Sequence, residues 1–177
     1  MNGVILDPTA LQRTIARMAH EIAERNPQSA EVALVGVQKG GVSLSRRLAE
    51  VLERIFGHPV PVGLLDVSMY RDDLHHRSAP DIQPTHLPFD PSGRSVVLVD
   101  DVLFHGRTAR AALDALHDLG RPRRVQLAVL IDRGHRELPI RADFVGKNVP
   151  TSLQQRINVR LADDGGDDSV LLEELKS

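Results

Sequence analysis

The sequence predicts an α/β protein with a doubly wound, mostly parallel sheet, and three observations predict it. Short apolar runs of strand length alternate with amphipathic stretches at helical spacing as far as Ile131. Glycine and proline fall between these segments rather than inside them. Aromatic residues make up only 3% of the chain, so the core must be filled by Val, Leu, Ile and Ala. Strand–helix–strand units of this kind close with a right-handed crossover and put ligands beyond the carboxyl ends of the strands.

The elements follow in order. Asp7-Pro8 is an N-cap with proline at the first helical position, and Leu11, Ile15, Met18 and Ile22 fall on one face of the helix behind it. Asn26-Pro27 ends that helix. Residues 32–37 form a continuous apolar run, read as a buried strand. After Gly40-Gly41, the positions Leu44, Leu48, Val51, Leu52 and Ile55 give a second amphipathic helix, stopped by Gly57 and Pro59. Residues 60–67 read as a strand. Residues 70–92 turn polar and carry Pro80, Pro84, Pro88 and Pro91, which marks a long loop or flap. Residues 95–99 are a strand, 107–119 a helix stopped by Gly120 and Pro122, and 124–131 a further strand. Shorter strands are expected at 142–145, 157–161 and 170–172.

A chain of 177 residues suits one domain with a real core, here taken as 1–177 with a C-terminal tail over 153–177. Hydrophobic residues make up 41%, an ordinary globular value. No cysteine is present, which excludes disulfides, thiolate chemistry and cysteine-based zinc sites. The formal net charge of −2 gives no general basic character, although a local basic face remains open. No apolar run reaches the ~20 residues of a membrane span, and no basic run followed by an apolar core opens the chain, so a cytoplasmic protein with no membrane partner is expected. His75-His76 are adjacent in the flap, a poor geometry for a chelate, and no resident metal site is expected.

The chemistry concentrates in Val96-Val97-Leu98-Val99-Asp100-Asp101-Val102-Leu103-Phe104-His105-Gly106-Arg107-Thr108. A buried strand ends in two acids, and a short loop with Gly106 then opens a helix. The helix N-terminus offers unpaired N–H groups and partial positive charge to a phosphate monoester. Gly106 lets backbone approach the phosphate oxygens, and the Thr108 hydroxyl adds a donor. Asp100 and Asp101 can accept from two neighbouring ribose hydroxyls. A dinucleotide-binding fold is disfavoured, because no G-x-G-x-x-G follows the first strand.

This stretch resembles the phosphoribosyl-pyrophosphate fingerprint of type I phosphoribosyltransferases. Three further segments are similar to one subgroup, the bacterial pyrimidine operon attenuation regulators that are also uracil phosphoribosyltransferases. They are Asp66-Val67-Ser68-Met69-Tyr70-Arg71-Asp72-Asp73-Leu74, Leu119-Gly120-Arg121-Pro122, and the long run from Asp132-Arg133-Gly134-His135-Arg136-Glu137 through Gly146-Lys147-Asn148-Val149-Pro150-Thr151-Ser152. The similarity covers about residues 4–151.

The resemblance implies a type I phosphoribosyltransferase fold with a flexible flap and a small hood, and transfer of the phosphoribosyl group to uracil with substrate-bound Mg²⁺. Asp100 and Asp101 would hold the ribose, and Phe104, His105, Gly106, Arg107 and Thr108 the 5-phosphate. Lys39, Gly40 and Gly41 would hold pyrophosphate, while Tyr70, Arg71 and Asp72 would open the flap over the reaction. Phe144 and Val145 would cover the base, with Asp132 near its edge; for Phe144 and Val145 a plain core role stands beside that one. The resemblance further implies RNA binding, to a pyrimidine operon mRNA leader, through Arg17, His20, His135, Arg136, Arg141, Lys147 and Thr151, and assembly as a homodimer or larger homo-oligomer. Two positions depart from the subgroup: His105 stands where the fingerprint has Thr, and Gly40 where relatives carry Arg. Both fall on phosphate contacts. Two readings stay open on that account: a uracil phosphoribosyltransferase that also regulates in response to UMP, and a nucleotide-sensing RNA-binding regulator with little or no catalysis.

Overall fold

The computed structural model describes residues 3–73 and 81–175. Leu74, His75 and His76 lie outside the described residues. Five parallel strands form the central sheet: β2 (Val32–Val37), β3 (Val62–Leu65), β4 (Ser95–Leu103), β5 (Arg124–Asp132) and β6 (Phe144–Asn148), in the order β3-β2-β4-β5-β6. Helices α1 (Pro8–Arg25) and α2 (Gly40–Phe56) cover one face, and α3 (Arg107–Leu119) covers the other. The alternation along β4 makes the division: Val97 and Val99 pack with α1 and α2, and Val96 and Leu98 pack with α3. A doubly wound sheet results, as the alternating pattern predicts.

Local chemistry sets the helix ends. The Asp7 carboxylate accepts from the Ala10 N–H at 2.8 Å, which caps α1 behind Pro8. Gly57 closes α2 in the left-handed region at φ +79°. Asn26 stops α1 and is itself buried, donating to Ile22 O and to the Gln126 side chain on β5. A buried amide is thereby satisfied while it ties helix to sheet.

Three features differ from the sequence expectation. The first strand, β1 (Gly3–Leu6), has no signature in the sequence. It pairs antiparallel with β8 (Ser169–Glu174), which pairs with β7 (Gln155–Arg160), so a second, three-stranded sheet stands in the place expected for the hood. Leu6, Leu161 and Val170 sink into the same core as α1 and α2. Next, β4 runs on to Leu103, because its pairing with β5 continues past the acids to Leu103↔Asp132. Finally, the second half of the 70–92 loop is anchored. His86 exchanges two 2.8 Å backbone bonds with Leu64, Asp66 accepts from Gln83 N, and Leu87 and Phe89 pack onto the α3 side of the core. Polar, proline-rich composition masks these anchors.

Candidate functional site

Asp100 and Asp101 sit in the last half of β4, above the core, where the parallel strands deliver their carboxyl ends. Asp100 Oδ1 accepts from the Asp101 N–H at 2.9 Å, and Asp101 Oδ1 accepts from the Val102 N–H at 2.8 Å. Burial, with the neighbouring Asp101 carboxylate adding to it, pushes the Asp100 carboxyl well above its ordinary value. Such a pair gains from a hydroxyl donor or a cation that shares its charge.

The chain leaves β4 through Phe104 and His105 and enters α3 at Gly106, which takes φ +94°. Gly106 and the first residues of α3 line a cleft of about 300 Å³ together with Arg71, Asp100, Phe104 and His105. The Thr108 hydroxyl accepts from Arg71 Nη1 at 2.7 Å. His105 stacks on the Phe104 ring at 3.6 Å, and its Nε2 lies 3.2 Å from Glu137 Oε1. Arg107 reaches Glu137 Oε2 at 2.8 Å and Asp72 Oδ2 at 2.5 Å.

The 38–41 loop follows β2 and lies against Val99 and Asp101 of β4. Its two glycines are required by close approach. A Cβ on Gly40 would lie 2.2 Å from Asp101 Oδ2, and one on Gly41 would lie 2.0 Å from Val99 O. Lys39 extends outward to Asp81 at 2.6 Å, with both side chains about 70% exposed. The flap residues divide. Arg71 and Asp72 reach the 104–108 loop, while Tyr70 Oη donates to Asp118 in the last turn of α3, some three turns from Thr108, so its ring lies along α3.

Of the two roles left open for Phe144 and Val145, the structure favours the core role. Phe144 is 1% exposed and packs with α1 and α2, with the Arg25 guanidinium 5.5 Å from its ring centre. It pairs with Ala128, mid-strand, well short of the carboxyl end. Val145 points to the opposite core. Both residues pack the sheet, because β6 begins later than expected and runs to Asn148. The residues that reach the carboxyl end of β6 are Asn148 and Val149. With Asp132, His135 and Thr151 they line a cleft of about 450 Å³. The register Asp132↔Asn148, invisible in one sequence, is what brings them there. Asp132 accepts from Gly134 N and from Arg136.

Of the residues expected to meet RNA, Arg17, His20, His135, Arg141 and Lys147 are exposed. Arg17 donates to Gly146 O beside Lys147, so the outer face of α1 adjoins the end of β6. Arg136 is corrected: it turns inward to Phe104 O, Ile140 O and Asp132, with each of its three nitrogens bonded to a structural acceptor. The Thr151 hydroxyl is bound to Arg133.

Arg133 is the residue that sequence reasoning passed over. Its side chain is buried, its guanidinium lies 3.8 Å from the Phe104 ring centre, and it donates to Thr151 Oγ1, Ser152 O and Gln155 O. Burial lowers its pKa from the usual arginine value. The phosphate loop is thereby fastened to the start of the small sheet. Asp-Arg-Gly after an apolar strand is the only signal that could have flagged it.

Comparison with known proteins fits this geometry. Residues 2–159 match the phosphoribosyl transferase domain family. The chain is 62% identical over 170 residues to the bifunctional protein PyrR of Roseiflexus sp. (strain RS-1), covering 95% of this chain and 93% of that one. It is 53% identical over 180 residues to the bifunctional protein PyrR of Halalkalibacterium halodurans, covering 100% of both. The hypoxanthine phosphoribosyltransferase of Trypanosoma cruzi has the same fold, with a TM-score of 0.74 at 18% identity over 98% of this chain and 97% of that one. The chain belongs to the phosphoribosyltransferases and, among them, to the bifunctional PyrR proteins. Among the described residues no helix is long and apolar enough to cross a membrane.

Proposed function

We propose that the chain transfers the phosphoribosyl group of phosphoribosyl pyrophosphate to uracil, and that the same pocket, filled by UMP, sets its affinity for a pyrimidine operon mRNA leader. The observation that carries this is the Asp100–Asp101 pair running straight into a glycine-opened helix N-terminus. Ribose and 5-phosphate can be held there by adjacent parts of one strand–loop–helix unit. Asp100 and Asp101 accept from the two ribose hydroxyls. Backbone N–H groups of 106–108 and the Thr108 hydroxyl donate to the 5-phosphate, and the N–H groups of 39–41 donate to the pyrophosphate. The bond between C1 of the ribose and pyrophosphate breaks with its electron pair leaving on pyrophosphate. A bond to N1 of uracil forms, and the N1 proton is lost. Catalysis is then positioning and charge stabilisation, with Arg71 and Asp72 closing on the cleft.

Mg²⁺ fits this arrangement. A nearby divalent cation favours the ionised form of Asp100 that burial disfavours. Among the described residues no group of three His, Asp or Glu side chains can cage a cation, so substrate oxygens would carry it. Bound there, it neutralises charge on the leaving pyrophosphate. The exposed Arg17, His20, His135, Arg141 and Lys147 suit phosphate and loop-base contacts with RNA. The protein works in the cytoplasm as a homodimer or larger homo-oligomer.

A second reading, a nucleotide sensor with little turnover, is favoured by the state of the phosphate cations. Lys39 is paired with Asp81, Gly40 brings no charge, and His105 faces Glu137. Labelled uracil, phosphoribosyl pyrophosphate and Mg²⁺ decide between the two. UMP formation supports transfer. UMP binding by calorimetry without turnover supports the sensor. Failure of both removes the proposal.

A further inference from the structure

Beside the phosphate cleft stands an acid that the transfer reaction leaves without a role. Glu137 accepts from Arg107 Nε at 3.2 Å and Nη2 at 2.8 Å, and its Oε1 lies 3.2 Å from His105 Nε2. Both side chains belong to the loop read above as the 5-phosphate site. Glu137 does not line the cleft itself; it stands at the rim and holds Arg107 and His105 from outside. Arg107, with His105 adding to it, holds the Glu137 carboxyl below the usual carboxylate range. The remaining charges around Arg107 are Asp72 on the flap and Arg110 one turn along α3, itself 3.5 Å from Asp72.

Glu137 lies in the segment that also presents His135 and Arg141 at the surface. That segment is docked on the phosphate loop in two ways. Backbone bonds run from Glu137 N and Leu138 N to His105 O, at 3.0 and 3.3 Å, and Arg136 donates to Phe104 O at 2.8 Å. These contacts use no group a phosphate needs. The Glu137 carboxylate contacts do, because a dianionic phosphate at the start of α3 competes for the same N–H groups of Arg107 and His105.

We propose that Glu137 is a built-in counter-anion of the 5-phosphate loop, displaced when a sugar phosphate binds, so that phosphate occupancy loosens the side-chain half of the 134–141 docking and is felt at His135 and Arg141. Arg136 keeps the segment attached through Phe104 O while the backbone bonds from Glu137 N and Leu138 N open more often and the outer residues gain freedom. This deepens the proposed function, on whose phosphate-loop assignment it rests, and gives its nucleotide response a specific residue. It requires neither uracil nor a particular RNA.

The test uses ribose 5-phosphate, with ribose as the phosphate-free control, on the full chain. In the unmodified protein, ribose 5-phosphate should raise amide hydrogen exchange over 137–141, and ribose should not. In Glu137→Gln the binding of ribose 5-phosphate should tighten about two- to fivefold, the range an exposed ion pair commands, and the exchange difference over 137–141 should disappear. Unchanged or weaker binding by Glu137→Gln overturns the inference, as does unchanged exchange over 137–141 in the unmodified protein, a result that does not depend on any variant folding. Absence of ribose 5-phosphate binding to the unmodified protein overturns the phosphate-loop assignment and this inference together. The expected exchange behaviour in a protein that makes no UMP supports the inference and overturns uracil transfer alone.

Discussion

Replacing Gly41 by alanine separates a rigid obstacle from a movable one. The added Cβ would lie 2.0 Å from Val99 O and 2.9 Å from Val99 C, both backbone atoms of the central strand β4. Non-bonded carbon contacts begin beyond about 3 Å, so the start of α2 must retreat by about 1 Å. Overpacking on this scale destabilises by about 1–3 kcal/mol. For a chain of this length that corresponds to a fall of about 2–12 °C in melting temperature. The retreat also moves the 38–41 loop from the pyrophosphate, and a displacement of about 1 Å in positioning groups costs on the order of 10²-fold in rate. Gly40→Ala is the contrast. Its three nearest atoms would all belong to the Asp101 carboxylate, at 2.2 Å from Oδ2 and 2.3 Å from Cγ, and that side chain can swing aside. Gly40→Ala should therefore leave the melting temperature nearly unchanged while it weakens binding of phosphoribosyl pyrophosphate. Thermal melts of both variants, with kcat/KM for phosphoribosyl pyrophosphate, check the pair. A Gly41→Ala protein that melts and turns over like the unmodified one would refute the packing argument.

Further outcomes follow from burial and charge. Asp100→Asn removes a carboxylate whose pKa is raised in the fold; such a group stabilises the folded state relative to its ionised form only at low pH, and the loss grows as pH rises from about 3.9 through the folded value. The variant should be more stable at pH 7 by about 0.5–2 kcal/mol, with the gap closing toward pH 3, and should bind sugar phosphate less well; equal denaturation midpoints at pH 7 would count against the buried charge. Arg47 holds Asp168 through two bonds at 2.8 and 2.9 Å and Asp163 through a third, and these contacts keep the Asp168 carboxyl below its ordinary value. That contribution is present above the unfolded carboxylate pKa and lost as pH falls, so Arg47→Ala should cost about 1–3 kcal/mol at pH 7 and much less near pH 3, read by urea denaturation at both pH values. Phe144→Ala should cost about 3–5 kcal/mol and leave the affinity of the remaining folded protein for UMP unchanged, as calorimetry can check; a specific loss of UMP binding would return the ring to the base site.

The helices were legible because their apolar spacing, caps and stops are local: Asp7-Pro8, Asn26, Gly57 and Gly120 each mark a boundary that the backbone obeys. The 96–108 motif was legible for the same reason, since strand, acids, glycine and helix start are contiguous. What failed was long-range. β1 exists because β8 pairs with it, and nothing in Gly3-Val4-Ile5-Leu6 announces a partner near the other end of the chain. Phe144 stood open between core and ligand because its distance from the strand's carboxyl end depends on where β6 stops. Arg136 and Arg133 look like surface cations in sequence. Of their acceptors, Phe104 becomes a neighbour only when the loop after β4 meets the loop after β5, and Thr151, Ser152 and Gln155 only when the segment after β6 returns to that loop.

The charges around the cleft carry the functional logic further than the motif alone. Among the described residues around the phosphate site, the basic side chains already face acids: Lys39 faces Asp81, Arg71 faces Asp73, Arg107 faces Asp72 and Glu137, and His105 faces Glu137. Three of these four acids lie in or beside the flap, and the fourth lies in the segment carrying His135 and Arg141. A highly charged substrate therefore does not enter a bare cationic pocket. It exchanges internal counter-anions for its own phosphates, and the displaced acids belong to the two segments whose position matters, one for closing the reaction and one for the outer surface. This arrangement also accommodates the near-neutral charge of the chain, because local cationic strength is held in reserve by ion pairs of modest strength at exposed positions. On this view the replacement of a hydroxyl by His105 has a physical consequence beyond crowding: it adds a second cation-forming group for Glu137 to hold, and so strengthens the link between phosphate occupancy and the surface segment.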